Sequence, residues 1–168
     1  ADLWHSAIAL GQHIVKTNII KKNMNILEIG CGLGLPGIVA GKFSNQITFT
    51  DYINEPLDFA KHNWNLNNDY PAQYEILDWR KPDTTLATDV ILASDVAYEK
   101  RSFKYLRHAF KKLLKPGGFI LLSEPNREHS REFFISLKEK GFDFSKFSYQ
   151  IIYRDITTNV NVYQIEKK

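Results

Sequence analysis

Five short stretches of the chain carry side chains whose types and spacing could do chemistry. The first, Leu27-Glu28-Ile29-Gly30-Cys31-Gly32-Leu33-Gly34, sets a carboxylate two residues ahead of alternating glycines. Gly32, Gly34 and Gly37 also fit G-x-G-x-x-G, a spacing that turns a strand sharply into a helix and lets a ligand approach bare backbone. Asp51 follows 21 residues after Gly30, at the end of the next apolar run, where a carboxylate can accept both hydroxyls of a ribose. Asp78-Trp79 offers an acceptor for a ring amino group beside an indole able to stack on that ring. Asp95 and Tyr98 put a carboxylate and a phenol three residues apart, and Glu124-Pro125-Asn126-Arg127 is a polar loop able to line the same region.

The glycine turn alone leaves its ligand open. A dinucleotide brings two negative phosphates to such a turn, whereas S-adenosyl-L-methionine brings a sulfonium and an ammonium. Glu28 repels the first and attracts the second, and no lysine or arginine between Asn25 and Gly41 offsets it. The reading is therefore an S-adenosyl-L-methionine site. Glu28, Gly30 and Gly32 lie on the methionine side, Asp51 at the ribose, and Asp78 and Trp79 at the adenine, with Cys31 and Tyr52 beside them as further cofactor-binding candidates. Asp95 and Tyr98 fall where the methyl donor and acceptor meet. The bland alternatives are a core tryptophan beside a loop aspartate, and a capping aspartate with a rim tyrosine.

These residues need elements to hold them. Asn25–Ile29, Ile47–Thr50, Tyr74–Leu77, Asp89–Ser94 and Phe119–Ser123 read as strands, by apolar runs or alternation. Between them lie helical patterns. Ser6 to about Lys21 is one, with Ser6 as N-cap; Pro36 to Phe43 is another, with proline in its first turn. A third starts at a capping Asn54, with Ile53, Leu57, Ala60 and Trp64 as its stripe. Phe103, Leu106, Phe110, Leu113 and Leu114 form a stripe ended by Lys115-Pro116-Gly117-Gly118, and Arg131–Lys140 is a helix closed by Gly141. Phe147–Tyr153 and Val160–Ile165 close the chain as an antiparallel pair. The expected fold class is α/β: a doubly wound, mostly parallel sheet of seven strands, helices on both faces, and an antiparallel C-terminal edge. Ligands of such sheets lie beyond the carboxyl ends of the strands, where the five motifs fall.

At 168 residues, one domain spanning 1–168 is expected. The chain opens on Ala1-Asp2-Leu3-Trp4 without an initiator methionine, and further residues are expected upstream. Its 22 basic and 19 acidic residues give a net charge of +3, too balanced to signal nucleic acid, and the lysines read as solvated faces. Cys31 is the single cysteine, so neither an intrachain disulfide nor a cysteine-based zinc site is available, and a reducing, cytoplasmic setting is expected. No apolar run approaches the ~20 residues of a membrane span.

Together these residues resemble the class I, seven-β-strand S-adenosylmethionine-dependent methyltransferases, whose fold is Rossmann-like. The matching segments are LEIGCGLG, the ribose carboxylate Asp51 and LKPGGFILLSE. More narrowly, LWHSAIAL, LEIGCGLGLPGI, LDW and ASDVAYE resemble methyltransferase family 16, a protein lysine methyltransferase-like group also called nicotinamide N-methyltransferase-like. The resemblance implies cofactor contacts at Trp4, Gly30, Gly32, Asp51, Trp79 and Ala93, and places the D-x-x-Y pair, Asp95 and Tyr98, at the acceptor. It implies N-methylation of a lysine side chain of a protein partner. A small amine or a nucleic-acid base is the alternative acceptor, and a non-catalytic cofactor-binding module a further one. Asp95-Val96-Ala97-Tyr98 lacks the prolines common in nucleobase enzymes. The family usually has a β-hairpin before the tryptophan, whereas three residues precede Trp4 here.

Overall fold

The computed structural model describes residues 2–168. Seven strands, β1 (Asn25–Ile29), β2 (Gln46–Asp51), β3 (Gln73–Ile76), β4 (Thr88–Ser94), β5 (Leu114–Glu124), β6 (Phe142–Tyr153) and β7 (Ile156–Lys167), form one sheet ordered β3-β2-β1-β4-β5-β7-β6. The β3-β2-β1-β4-β5 pairings are parallel, and β7 runs antiparallel to both β5 and β6. The expected mixed edge is present, with β7 inserted between β5 and β6. Helices α1 (His5–Thr17), α2 (Leu35–Ala40), α3 (Asn54–Asn67), α4 (Phe103–Leu113) and α5 (Ser130–Glu139) alternate with the strands, except that β3 leads to β4 through a short 3-10 turn and β6 joins β7 directly.

Side-chain alternation in the central strands builds two cores. Leu27, Ile29, Ile91, Ile120 and Leu122 pack with Leu106, Phe110, Phe133 and Leu137 of α4 and α5. Ile26, Val90, Leu92, Phe119 and Leu121 pack with α1, α2 and α3 through Leu10, Ile14, Ile38 and Trp64. Strand order reverses at β1 and β4: the chain steps outward from β1 through β2 to β3, then returns to β4 beside β1. That reversal leaves a crevice at the carboxyl ends of β1 and β4.

Several boundaries differ from the sequence reading. Trp4, not Ser6, caps α1; buried Ser6 instead lends its carbonyl to the Ser123 hydroxyl at 2.8 Å. Asn54 is the first residue of α3 and Ile53 its exposed cap, because the apolar stripe that is buried begins at Leu57. Lys115–Gly118 ends α4 as expected but lies within the span of β5, where the pairing jumps from Thr88–Leu114 to Val90–Phe119. The last two strands run 12 residues each and meet at a turn with positive φ at Arg154 (50°) and Asp155 (61°), so the expected six-residue link is largely strand. Such a turn matches the twist of the strands it joins.

Candidate active site

The crevice holds a cavity of about 970 Å³ whose walls come from the ends of β1, β2, β3 and β4, the segment before α1 and the loop after β5. Trp4, Gly30, Cys31, Gly32, Asp51, Tyr52, Asp78, Trp79, Asp95 and Tyr98 all line it. Ten of the twelve sequence-derived site residues thus converge on one cavity.

The turn after β1 runs through left-handed backbone at Gly30, Gly32 and Gly34 (φ 60°, 51° and 78°). Gly32 is the position where this opens space: a Cβ there meets no atom within 4 Å and would project into the opening. A wall of bare backbone with free volume in front of it suits a ligand pressed against the turn. Asp51 braces the turn from the next strand, its carboxylate accepting the Gly32 N–H at 3.3 Å and the Tyr52 N–H at 2.8 Å.

Glu28 requires a correction: it is fully buried and absent from the cavity wall. Alternation places it on the same face as Ile26, under α2, where its Oε2 accepts the Gly37 N–H at 2.8 Å. Burial pushes its carboxyl up to about 8, against the stabilising Gly37 bond and with some help from nearby Asp51. Glu28 is therefore mainly protonated at neutral pH, and its charge does not select a cationic ligand. It ties β1 to the first turn of α2. Gly37 is required there because a Cβ would stand 2.4 Å from the Phe49 ring and 2.5 Å from Glu28 Oε2. Ala93 is the second correction. It is completely buried in β4 between Ile29 and Leu122, facing the α4–α5 core, and Ser94 lines the cavity in its place.

On the expected adenine side, Trp79 packs toward Gly30, with its Cζ2 3.7 Å from where a Cβ would lie. Asp78 is already engaged: Arg80 donates to it from Nε and Nη2 at 2.7–3.0 Å and from its backbone N–H at 2.9 Å. These bonds hold the Asp78 carboxyl below the usual range. Arg80 also donates to the Tyr52 hydroxyl at 2.9 Å, joining the rims of β2 and β3. Cys31 faces the cavity but is buried, and that burial pushes its thiol far above the ordinary range. It therefore acts as a small apolar wall rather than a nucleophile.

On the expected acceptor side, Asp95 takes a left-handed φ of 54°, with its N–H bonded to Ser123 O at 2.8 Å. Its carboxylate is gripped by Arg127, which donates from Nε at 3.1 Å and from Nη2 at 2.9 and 2.8 Å. Arg127 is itself fixed, its N–H on buried Glu124 at 2.9 Å and its carbonyl accepting the Ser130 hydroxyl at 2.6 Å. The side chains of Tyr98, exposed at the rim, and of Trp4 flank the opening. Sequence reasoning named the Arg127 loop but not the ion pair, because residues 32 apart meet only once β4 and β5 lie side by side. It missed Tyr105, from the first turn of α4, which has no motif of its own.

A family model described as lysine methyltransferase matches residues 1–140. The chain is similar to protein N-lysine methyltransferase METTL21A of Xenopus tropicalis, 27% identical over 171 residues that cover 99% of this chain and 77% of that protein. It is also 27% identical over 172 residues to EEF1A lysine methyltransferase 3 of Mus musculus, covering 98% and 71% of the two chains. Among solved structures it matches magnesium protoporphyrin IX methyltransferase of Synechocystis, which carries bound S-adenosylhomocysteine, with a TM-score of 0.71 at 11% identity over 94% and 81% of the chains; this likeness speaks to the fold. The family match takes in every strand-end motif of the cavity. The chain belongs to the lysine methyltransferase family and is an S-adenosylmethionine-dependent methyltransferase.

Proposed function

We propose that this enzyme methylates lysine side chains of a protein in a reducing, cytoplasmic setting. The observation that carries the reading is the convergence of Asp95 and Tyr98 on the cavity that holds the glycine turn and Asp51. S-adenosylmethionine, when bound, supplies a methyl group already activated on a sulfonium. The residues fitted to hold it are Gly30, Gly32, Asp51, Trp79 and Trp4, with the bare Gly32 backbone and the Asp51 carboxylate as its main polar wall.

What remains for the chain is alignment, water exclusion and deprotonation of the acceptor. A free lysine near pKa ~10.4 costs about 4.6 kcal/mol to deprotonate at pH 7. Asp95 orients the amine: its Oδ1 accepts two N–H groups of Arg127, but Oδ2 accepts one and retains a lone pair, enough to accept an amine N–H. The Arg127 guanidinium balances the Asp95 charge and so favours a neutral amine over an ammonium ion. Tyr98 and Trp4 narrow the entrance around the lysine stem. Names of the relatives and the family description support a lysine acceptor.

The test is transfer of radiolabel from S-adenosylmethionine to a cell lysate, followed by protease treatment and acid hydrolysis. Label that is protease-sensitive and recovered as methylated lysine is expected. Label confined to small molecules, RNA or another amino acid would overturn the reading.

A further inference from the structure

Charge is distributed unevenly along this chain. Residues 100–115 hold seven lysines and arginines and no acidic residue, whereas the rest of the chain carries 15 basic against 19 acidic residues, a net of −4. The turn of helix before α4 and α4 itself concentrate this charge on one surface. Lys104, His108 and Lys111, at successive helical steps, are all exposed on the side opposite the buried Leu106–Phe110 stripe.

This surface is concave. A second groove of about 730 Å³ is lined by Lys100, Arg101, Lys104 and Arg107. It opens directly off the acceptor side of the catalytic cavity, since Glu99, Ser102 and Tyr105 line both. Among the described residues two carboxylates face it: Glu132, paired with Lys100 at 2.6 Å, and Glu99, paired with Arg101 at 2.6 Å. Both pairs are exposed, so each contributes little and can exchange for another anion at little cost. Lys104 and Arg107 have no carboxylate partner among the described residues; Lys104 lies over the Tyr105 ring and Arg107 donates to the Ser136 hydroxyl.

We infer that this groove docks an acidic segment of the methyl-accepting protein, lying beside the target lysine and setting which lysine enters. The inference deepens the proposed function and rests on its protein acceptor. A protein segment fits better than RNA because, among the described residues, the groove has no free aromatic face for bases to stack on: Lys104 lies over the Tyr105 ring and Phe103 is buried.

Fluorescence anisotropy of a labelled octaglutamate peptide and of a labelled 20-mer oligouridylate, each with protein saturated with S-adenosylhomocysteine, tests this. At about 50 mM ionic strength the peptide should bind more tightly than the RNA. Lys104→Glu with Arg107→Glu should weaken peptide binding roughly tenfold or more, with S-adenosylhomocysteine affinity unchanged. Lys104→Gln with Arg107→Gln should weaken it less, and added salt should erase the difference. Peptide binding indifferent to both double variants, or tighter binding of the RNA, would overturn the inference. Neither measurement uses methyl transfer, so failure of the groove and failure of the lysine reading show up in separate experiments.

Discussion

Replacing Glu28 by glutamine should change not the shape of the protein but the pH dependence of its stability. The folded protein holds this carboxyl up to about 8, while an unfolded chain lets it go near its ordinary 4.5. Below pH 4.5 both states are protonated and the native state keeps its full advantage. Between 4.5 and 8 the unfolded chain releases the proton and the folded one retains it, so stability falls as pH rises. Above 8 both are ionised and the loss is complete. The slope across this window is about 1.4 kcal/mol per pH unit, so the total approaches roughly 5 kcal/mol as an upper bound. Glutamine keeps an oxygen for the Gly37 N–H and cannot ionise. It puts an amide where Glu28 Oε1 now has no partner, at a fixed cost of about 1–3 kcal/mol. Guanidinium unfolding of both proteins at pH 5, 6, 7 and 8 reads the difference. Glu28→Gln should be the less stable protein at pH 5 and gain on the wild type at each step, drawing level or ahead by pH 8. A difference that stays flat from pH 5 to 8 would refute the claim that this carboxyl is buried and protonated.

Asp95→Asn preserves the left-handed backbone, which asparagine tolerates, while removing the charge that holds Arg127; turnover should drop on the order of 100-fold with S-adenosylhomocysteine affinity within a few-fold. Near-normal turnover in that variant would remove Asp95 from the acceptor site. Asp51→Ala takes away the brace on the Gly32 and Tyr52 N–H groups and should weaken S-adenosylhomocysteine by ~1–3 kcal/mol in calorimetry; an unchanged affinity would end its ribose role. Gly37→Ala forces a methyl into the Phe49 ring and the Glu28 carboxyl and should cost about 1–3 kcal/mol, lowering Tm by roughly 2–12 °C in a thermal scan, and an unchanged Tm would mean the turn is slack.

Much of the site was legible because strand ends announce themselves. Asp51, Asp78 and Asp95 each follow an apolar run, and in a doubly wound sheet those positions must open on one crevice. What sequence reading lost was side-chain direction. Glu28 and Ala93 lie near the ends of β1 and β4, but inside their regular ladders, where alternation sends them into opposite cores. Counting parity back from Ile26 and Ile91 would have separated both from the ligand. The long hairpin was underestimated for another reason. Much of β6 is exposed, so Phe142-Asp143-Phe144-Ser145-Lys146 shows only a weak buried stripe, and the cross-strand pairing that extends it is not local. The Asp95–Arg127 pair is likewise a product of sheet order rather than of either motif.

The wall formed by the segment around Trp4 has a consequence in time. Its neighbour His5 bonds the carbonyl of Ile156, 151 residues later, and its ring meets Tyr153 edge-on, while Asp2 reaches Arg154. Further along α1, His13 Nδ1 and the Tyr149 hydroxyl share a 2.7 Å hydrogen bond. The entrance is therefore clasped by a hairpin whose second strand must slot between β5 and β6 before the sheet is whole. The glycine turn, Asp51 and Asp95 precede that hairpin in the chain, yet the Trp4 segment that walls their cavity gains its anchor only once β7 has paired. Such distant pairing is slow to form, and this wall should be among the late parts of the cavity to settle during folding.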